Sequence, residues 1–253
     1  MAMNFDFFRA SQRHRVPVAP WWWALWGLVV GASWALASWR PVSEQAIASL
    51  TPPPTVDQVR RAAFGDALPL AKWLNLYVQT NDTQPGVSIP FRALDYPRIT
   101  QWLDLIVTLD PASHYPLMVA SHVYFNVGDE ARQRVMIDFV ARTFEQDPVH
   151  RWQWMAHAVI QARHTLNDLP LALQLARRLR ETLLDVPGIP TWVKQLESIV
   201  LEALDDKQAA ALSLGLLIEH GHIDNPQEID FLLRSQRDLL HPTRPSTTSP
   251  QMP

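Results

Sequence analysis

His150, His157 and His164 recur every seven residues, a spacing that would lay three imidazoles along one stripe of a continuous helix. Metal ligation is the chemistry to weigh. Seven helical residues advance about 10.5 Å, too far for neighbours that must each reach one ion at roughly 2 Å, and no two histidines stand four residues apart. The expectation is polar or packing histidines and no metal. His220-Gly221-His222 reads as a helix end, where imidazolium offsets the carbonyl dipole and glycine stops the helix. Asp110, Asp129, Asp147, Asp168 and Asp205 all fall at turn signals, where aspartate caps helices rather than moves protons. Patterns G-x-S-x-G, G-x-x-x-x-G-K and G-x-G-x-x-G are absent, which removes the nucleophile elbow, the phosphate loop and the dinucleotide fold. No catalytic set and no cofactor emerge, so the expectation is a protein that is not an enzyme.

Composition narrows the classes further. The chain has 253 residues, a hydrophobic fraction of 47% and a charged fraction of 19%, which suits one globular domain. A mean hydropathy of -0.09 excludes a polytopic membrane protein. A formal net charge of -3 offers no basic surface for phosphates, so nucleic acid is not expected as a partner. There is no cysteine, hence no disulfide framework and no thiolate chemistry.

What must position these residues begins with an anchor. Residues 21–39 read WWWALWGLVVGASWALASW without a charge and hold six of the 11 tryptophans. As a helix this rises roughly 28 Å against a hydrocarbon core of about 30 Å. Indoles cluster at its ends, where amphipathic aromatics prefer the interface. Arg9, Arg13 and Arg15 precede it and Arg40 alone follows closely; that asymmetry predicts a cytoplasmic N-terminus and a periplasmic main domain at a bacterial inner membrane. A competing reading is a signal peptide cleaved after Ala37, since Ala35-Leu36-Ala37 satisfies the small-x-small pattern. A buried core helix is a third. Ala24, Gly27, Gly31, Ala35 and Ser38 lie along one helical face, a stripe on which another helix could pack, giving homo- or hetero-association within the membrane.

The segments expected are 1–20 as a cytoplasmic lead, 21–39 as the transmembrane helix, 40–55 as a proline-rich linker, 56–240 as a periplasmic helical-repeat domain and 241–253 as a disordered tail. Between residues 56 and 77 the apolar spacing, broken by Gly65 and Pro69, predicts two short helices or one kinked helix, and residues 81–96 read as a loop. Eight helical periods follow, at about 99–109, 115–127, 132–144, 152–166, 171–184, 192–204, 209–219 and 228–240, with no strand signal. The fold class expected is all-α.

Pro111, Pro148 and Pro187 each close a helix pair at intervals of 37 and 39 residues, within the range of helical-hairpin repeats. Trp154 and Ala158 stand at large and small positions of one first helix, with Ala172 on its partner; Ser121, Tyr124 and Ala141 do the same one repeat earlier. Over residues 110–224 this resembles a degenerate tetratricopeptide repeat. Two features depart from that pattern: Glu197 stands where a small residue belongs, and the spacing is longer than the family's. The resemblance implies stacked hairpins whose first helices line a concave groove. That nominates Tyr115, Met118, His122, Phe125, Asn126, Trp152, Met155, Val159, Arg163, Lys194 and Ser198 as partner-binding residues, with Trp154 facing the interior. Trp102, Trp152, Trp154 and Trp192 together could line a ligand groove or fill the core.

The function expected is a membrane-tethered protein–protein interaction scaffold or assembly factor in the periplasm. Alternatives are a structural subunit of a larger inner-membrane complex and, more remotely, a cell-envelope hydrolase.

Overall fold

A computed structural model describes residues 20–38, 50–81, 83–84 and 87–241. The chain divides into two units, residues 1–46 and 47–253. Most of the expected N-terminal lead, Trp39, most of the linker and nearly all of the tail lie outside the described residues.

The first unit contains α1, Pro20–Ser38. Its residues from Trp21 to Leu36 are all exposed, and a Cβ placed on Gly27 or Gly31 would meet open space. Among the described residues no helix is long and apolar enough, by mean hydropathy, to cross a membrane. In α1 it is the five tryptophans that depress that mean, because indole carries an N–H on an otherwise apolar body; the helix holds no charged residue.

The second unit is all-α. Its helices are α2 (Val56–Ala62), α3 (Leu68–Thr80), α4 (Tyr96–Leu109), α5 (Tyr115–Met118), α6 (Glu130–Gln146), α7 (Pro148–His164), α8 (Leu169–Leu183), α9 (Thr191–Lys194), α10 (Leu196–Ala203), α11 (Lys207–His220) and α12 (Pro226–Leu240). Six of the eight expected periods match these within about four residues, whereas 115–127 is α5 followed by a wider turn and 192–204 is divided at Gln195 into α9 and α10. A further exception is the loop after α3: β1 (Thr83–Gln84) and β2 (Val87–Ser88) pair antiparallel, Thr83 with Ser88 and Gln84 with Val87. This minimal ladder was not expected, since two-residue strands leave no alternation to read.

The helix starts follow from local chemistry. Asp95, Asp129, Asp147, Asp168 and Asp206 each accept from the N–H three residues on, satisfying donors that the first turn would otherwise orphan. Thr55 and Gln58 form a reciprocal capping box. Prolines 97, 148, 170 and 226 sit in the first turn, where the missing N–H costs nothing. Asn167 and Asp205, with φ of 52° and 60°, turn the chain after α7 and α10. After α11 the left-handed residue is His222, φ 50°, not the glycine: Gly221 is there because a Cβ would run into the Leu217 carbonyl and side chain.

Consecutive helices pair and each pair packs on the next, α6 against α7, α8 against α10, and α11 against both α10 and α12. One apolar core runs from Leu50 to Val200 and includes Phe139, Phe144 and Leu179, none of them exposed to solvent. A smaller cluster of Leu214, Leu217 and Leu232 closes the C-terminal end. Ala158 and Ala172 are buried where α7 meets α8, the close approach that small side chains permit.

Three charged residues are buried at the junctions between pairs. Arg151 donates to the carbonyls of Thr143 at 2.7 Å and Pro111 at 2.8 Å. It thereby ties α7 to the end of α6 and to the α4–α5 turn, and burial lowers its pKa. Lys194 Nζ donates to the carbonyls of Leu184, Val186 and Gly221 at 2.8, 2.9 and 2.8 Å, and burial holds its pKa below the usual lysine value. Glu197 accepts from Arg177 at 3.1 Å, from Ser213 at 3.1 Å and from Arg180. The position where a small residue was expected is therefore filled by a carboxylate clamped between helices.

Candidate functional site

Helix α7 presents one outward face. Ala156, Ala158, Val159 and Ala162 turn inward and are buried, while His150, Gln153, Ile160 and His164 are exposed. On one flank of this face stands the segment after α5. From Val119 to Tyr124 the helix widens to a π turn, closed by Phe125 N–H donating to Ala120 O at 3.0 Å, a geometry frequent at functional sites.

Imidazole and indole meet there. Trp154 Nε1 donates to His114 Nδ1 at 3.0 Å, and Gln153 lies 3.3 Å from the same nitrogen. The ring of His122 lies edge-on to Trp154 at 5.9 Å and to His157 at 4.6 Å. Burial, with the neighbouring His122 adding to it, lowers the pKa of His157. Tyr115 Oη accepts from Gln79 at 2.8 Å, which fixes the edge of the face toward α3. The three histidines spaced by seven thus have separate settings: His150 pairs with Asp147 at 2.8 Å, His157 with His122, and His164 is exposed. Among the described residues no group of three or more His, Asp or Glu is placed to hold a metal ion.

On the other flank Trp152 packs edge-on to Trp192 at 6.0 Å. Trp192 opens onto a cleft of about 600 Å³ shared with Gln195, His222, Glu228 and Phe231. A second cleft of about 420 Å³, lined by Gln195, Ile199, Leu214, Phe231 and Leu239, adjoins it. Trp192 and Phe231 are each about half exposed, at 48% and 56%. Thr191 Oγ1 donates to Glu228 at 2.7 Å, bracing α9 against α12.

Of the nominated partner-binding residues, Tyr115, His122 and Asn126 are exposed, and Met118, Trp152 and Arg163 are half-buried. Phe125, Met155, Val159, Lys194 and Ser198 are buried and are not available to a partner. Each has a physical reason. The π turn carries Phe125 round to the inside. Met155 and Val159 sit on the alanine side of α7. Lys194 is spent on three carbonyls, and Ser198 Oγ donates to Gln195 O at 2.8 Å. Trp154, expected inside, is half-buried at the flank. The same region of the surface also carries His114, Gln153, His157 and Phe231, which were not nominated, and Trp192, which was left undecided. The run of alanines at 156, 158 and 162 was the signal that would have fixed the outward side of α7.

No protein family, curated protein or solved structure matches the chain.

Proposed function

We propose that this chain is a membrane-tethered protein–protein interaction module, related in design to tetratricopeptide arrays, whose outward face around α7 captures a protein partner. The observation that carries the reading is two groups of exposed and half-buried aromatic and imidazole side chains flanking α7, one of Tyr115, His122, Trp154 and His157 and the other of Trp152, Trp192 and Phe231. Aromatic rings held by neighbours present contact area with little conformational entropy left to lose, and imidazoles and amides supply hydrogen bonds to a peptide backbone. Trp192 and Phe231, each about half exposed, are poor candidates for core, because their exposed area gains nothing from the fold.

Helix α1 is the tether in this reading. Nineteen residues without a charge cover most of a hydrocarbon core, and tryptophan is the aromatic best suited to its boundaries. The arginine bias before it supports a cytoplasmic N-terminus and a folded unit in the periplasm. A reporter active only in the periplasm, fused after Pro253, is then active, and activity of only a cytoplasmic reporter there reverses the orientation.

The test of the face is partner capture by the full chain from gently solubilised membranes, compared among Trp192→Ala, His122→Ala and Leu212→Ala. Interface hot spots cost about 2 kcal/mol or more on truncation, roughly thirtyfold in affinity. Trp192→Ala therefore loses the partner while its melting temperature is nearly unchanged, and Leu212→Ala, exposed on α11, keeps it. Retention by both Trp192→Ala and His122→Ala would rule this face out.

A further inference from the structure

We infer that the α2–α3 turn and the outer face of α3 form a lipid-contacting surface, with Phe64 entering the interface of an anionic bilayer and Arg60, Arg61 and Lys72 meeting its headgroups. Phe64 is 99% exposed at the apex of the turn and has φ of 50°, a left-handed conformation rare for a bulky residue. Asparagine or glycine would serve the turn better, so the benzyl group has no role within the fold. The turn itself is well formed, with Asp66 N–H donating to Ala63 O at 3.2 Å and Leu68 N–H to Asp66 Oδ1 at 3.1 Å, and it holds Phe64 outward.

Helix α3 continues the surface. Ala71, Leu74, Asn75 and Val78 are buried, whereas Leu68, Trp73 and Leu76 are 48%, 57% and 58% exposed. Positions 68, 72, 73 and 76 share one helical side. Trp73 stacks on Tyr77 at 5.5 Å, and Tyr77 packs on Trp102 at 5.2 Å. The indole is therefore braced from behind in its outward position rather than folded down for want of a partner.

Three observations favour lipid over protein. The side chains are the interfacial set, Phe, Trp and Leu with Arg60, Arg61 and Lys72 exposed among them. The two nearby acids count for less: Asp66 accepts from the Leu68 N–H at the start of α3 and Asp57 occupies the first turn of α2, where its charge faces the helix dipole. A lone projecting ring is a wedge, whereas a stable protein interface needs about 800 Å² from each partner. Finally, only residues 39–49 separate α1 from Leu50, which is already buried in the core, a contour of at most about 40 Å. If α1 is anchored, as the preceding section proposes, this surface is confined near the bilayer at high effective concentration.

The chain has no cysteine, so single labels report cleanly. The full protein is labelled with an environment-sensitive fluorophore in turn at Leu68→Cys, Val30→Cys and Leu212→Cys. It is then reconstituted with nitroxide-bearing lipids, with and without an anionic phospholipid. The label at 68 is expected to be quenched by headgroup-level nitroxide severalfold more than the label at 212. Quenching should rise with anionic lipid, fall with added salt, and drop in Phe64→Ser and in the combined Arg60→Ser, Arg61→Ser, Lys72→Ser variant. Quenching at 68 no greater than at 212 overturns the inference, whatever position 30 reports. An unquenched label at 30 instead sinks the anchor reading, with the comparison of 68 and 212 still deciding lipid contact. A shift at 68 that depends on protein concentration and not on lipid makes a second copy the occupant and likewise overturns it.

Discussion

Removing the Glu197 carboxylate tests whether buried charge holds the last two helix pairs together. Its side chain is 6% exposed and Arg180 beside it 15%, while Arg177 is 51% exposed. Taking one partner from a buried pair costs about 3–5 kcal/mol, because the other charge is left without compensation. The half-exposed Arg177 adds less than about 1 kcal/mol. For a folded unit of this size, each kcal/mol lowers the melting temperature by about 2–4 °C, so Glu197→Ala should melt roughly 6–20 °C lower by circular dichroism. The sharper test is the pair Glu197→Leu with Arg180→Leu, which removes both charges and fills the space. Apolar replacement of a whole buried pair is often neutral, so the double variant should recover most of the loss. A coupling energy above about 1 kcal/mol between the two sites is expected from a double-mutant cycle. If Glu197→Ala melts with the parent, or the double variant is the sum of its singles, the carboxylate is not a clamp.

Two further outcomes follow from local geometry. His157 has a native pKa below its ordinary 6.5, so as pH falls through about 6.5 the unfolded chain binds a proton that the native state refuses. Stability is then lost on acidification, and urea midpoints between pH 8 and pH 5 should fall less in His157→Gln. Gly221→Ala should destabilise by about 1–3 kcal/mol through overpacking against Leu217, whereas Gly31→Ala, whose Cβ meets open space, should leave melting of the folded unit unchanged.

Helix order was legible because the punctuation is chemical. At Gly128-Asp129, Asp147-Pro148 and Asn167-Asp168 one step both ends a period and caps the next, whereas Asp110-Pro111 only ends α4 and α5 starts at His114 without a side-chain cap. Periodicity alone, however, cannot assign which apolar side of a helix faces which neighbour. In α7 both Trp154 and Met155 fit an inward side, and only the demand for close helix approach, met by Ala158 and Ala172, settles that Met155 goes in. The π turn at residues 119–124 was invisible for a related reason: it depends on which carbonyl Phe125 reaches, not on residue type. Lys194 was misread because a lysine near a helix start looks solvated until three carbonyls converge on it. The imidazole cluster joins His114 and His122 to His157 across two helix pairs, a separation no local pattern spans.

Arrays of identical hairpins evolve by copying, since any unit can follow any other when the joints are generic and apolar. The joints of this chain are not generic. Arg151 needs the particular carbonyls of Thr143 and Pro111, Glu197 needs the arginines of α8, and Lys194 needs the ends of α8 and α11 together. A duplicated or transplanted hairpin would bring an arginine, a lysine or a glutamate to a joint lacking its counterpart, and an uncompensated buried charge is among the costliest of errors. Each hairpin of this chain is thereby tied to its place in the order, and none can be duplicated or moved without stranding a buried charge.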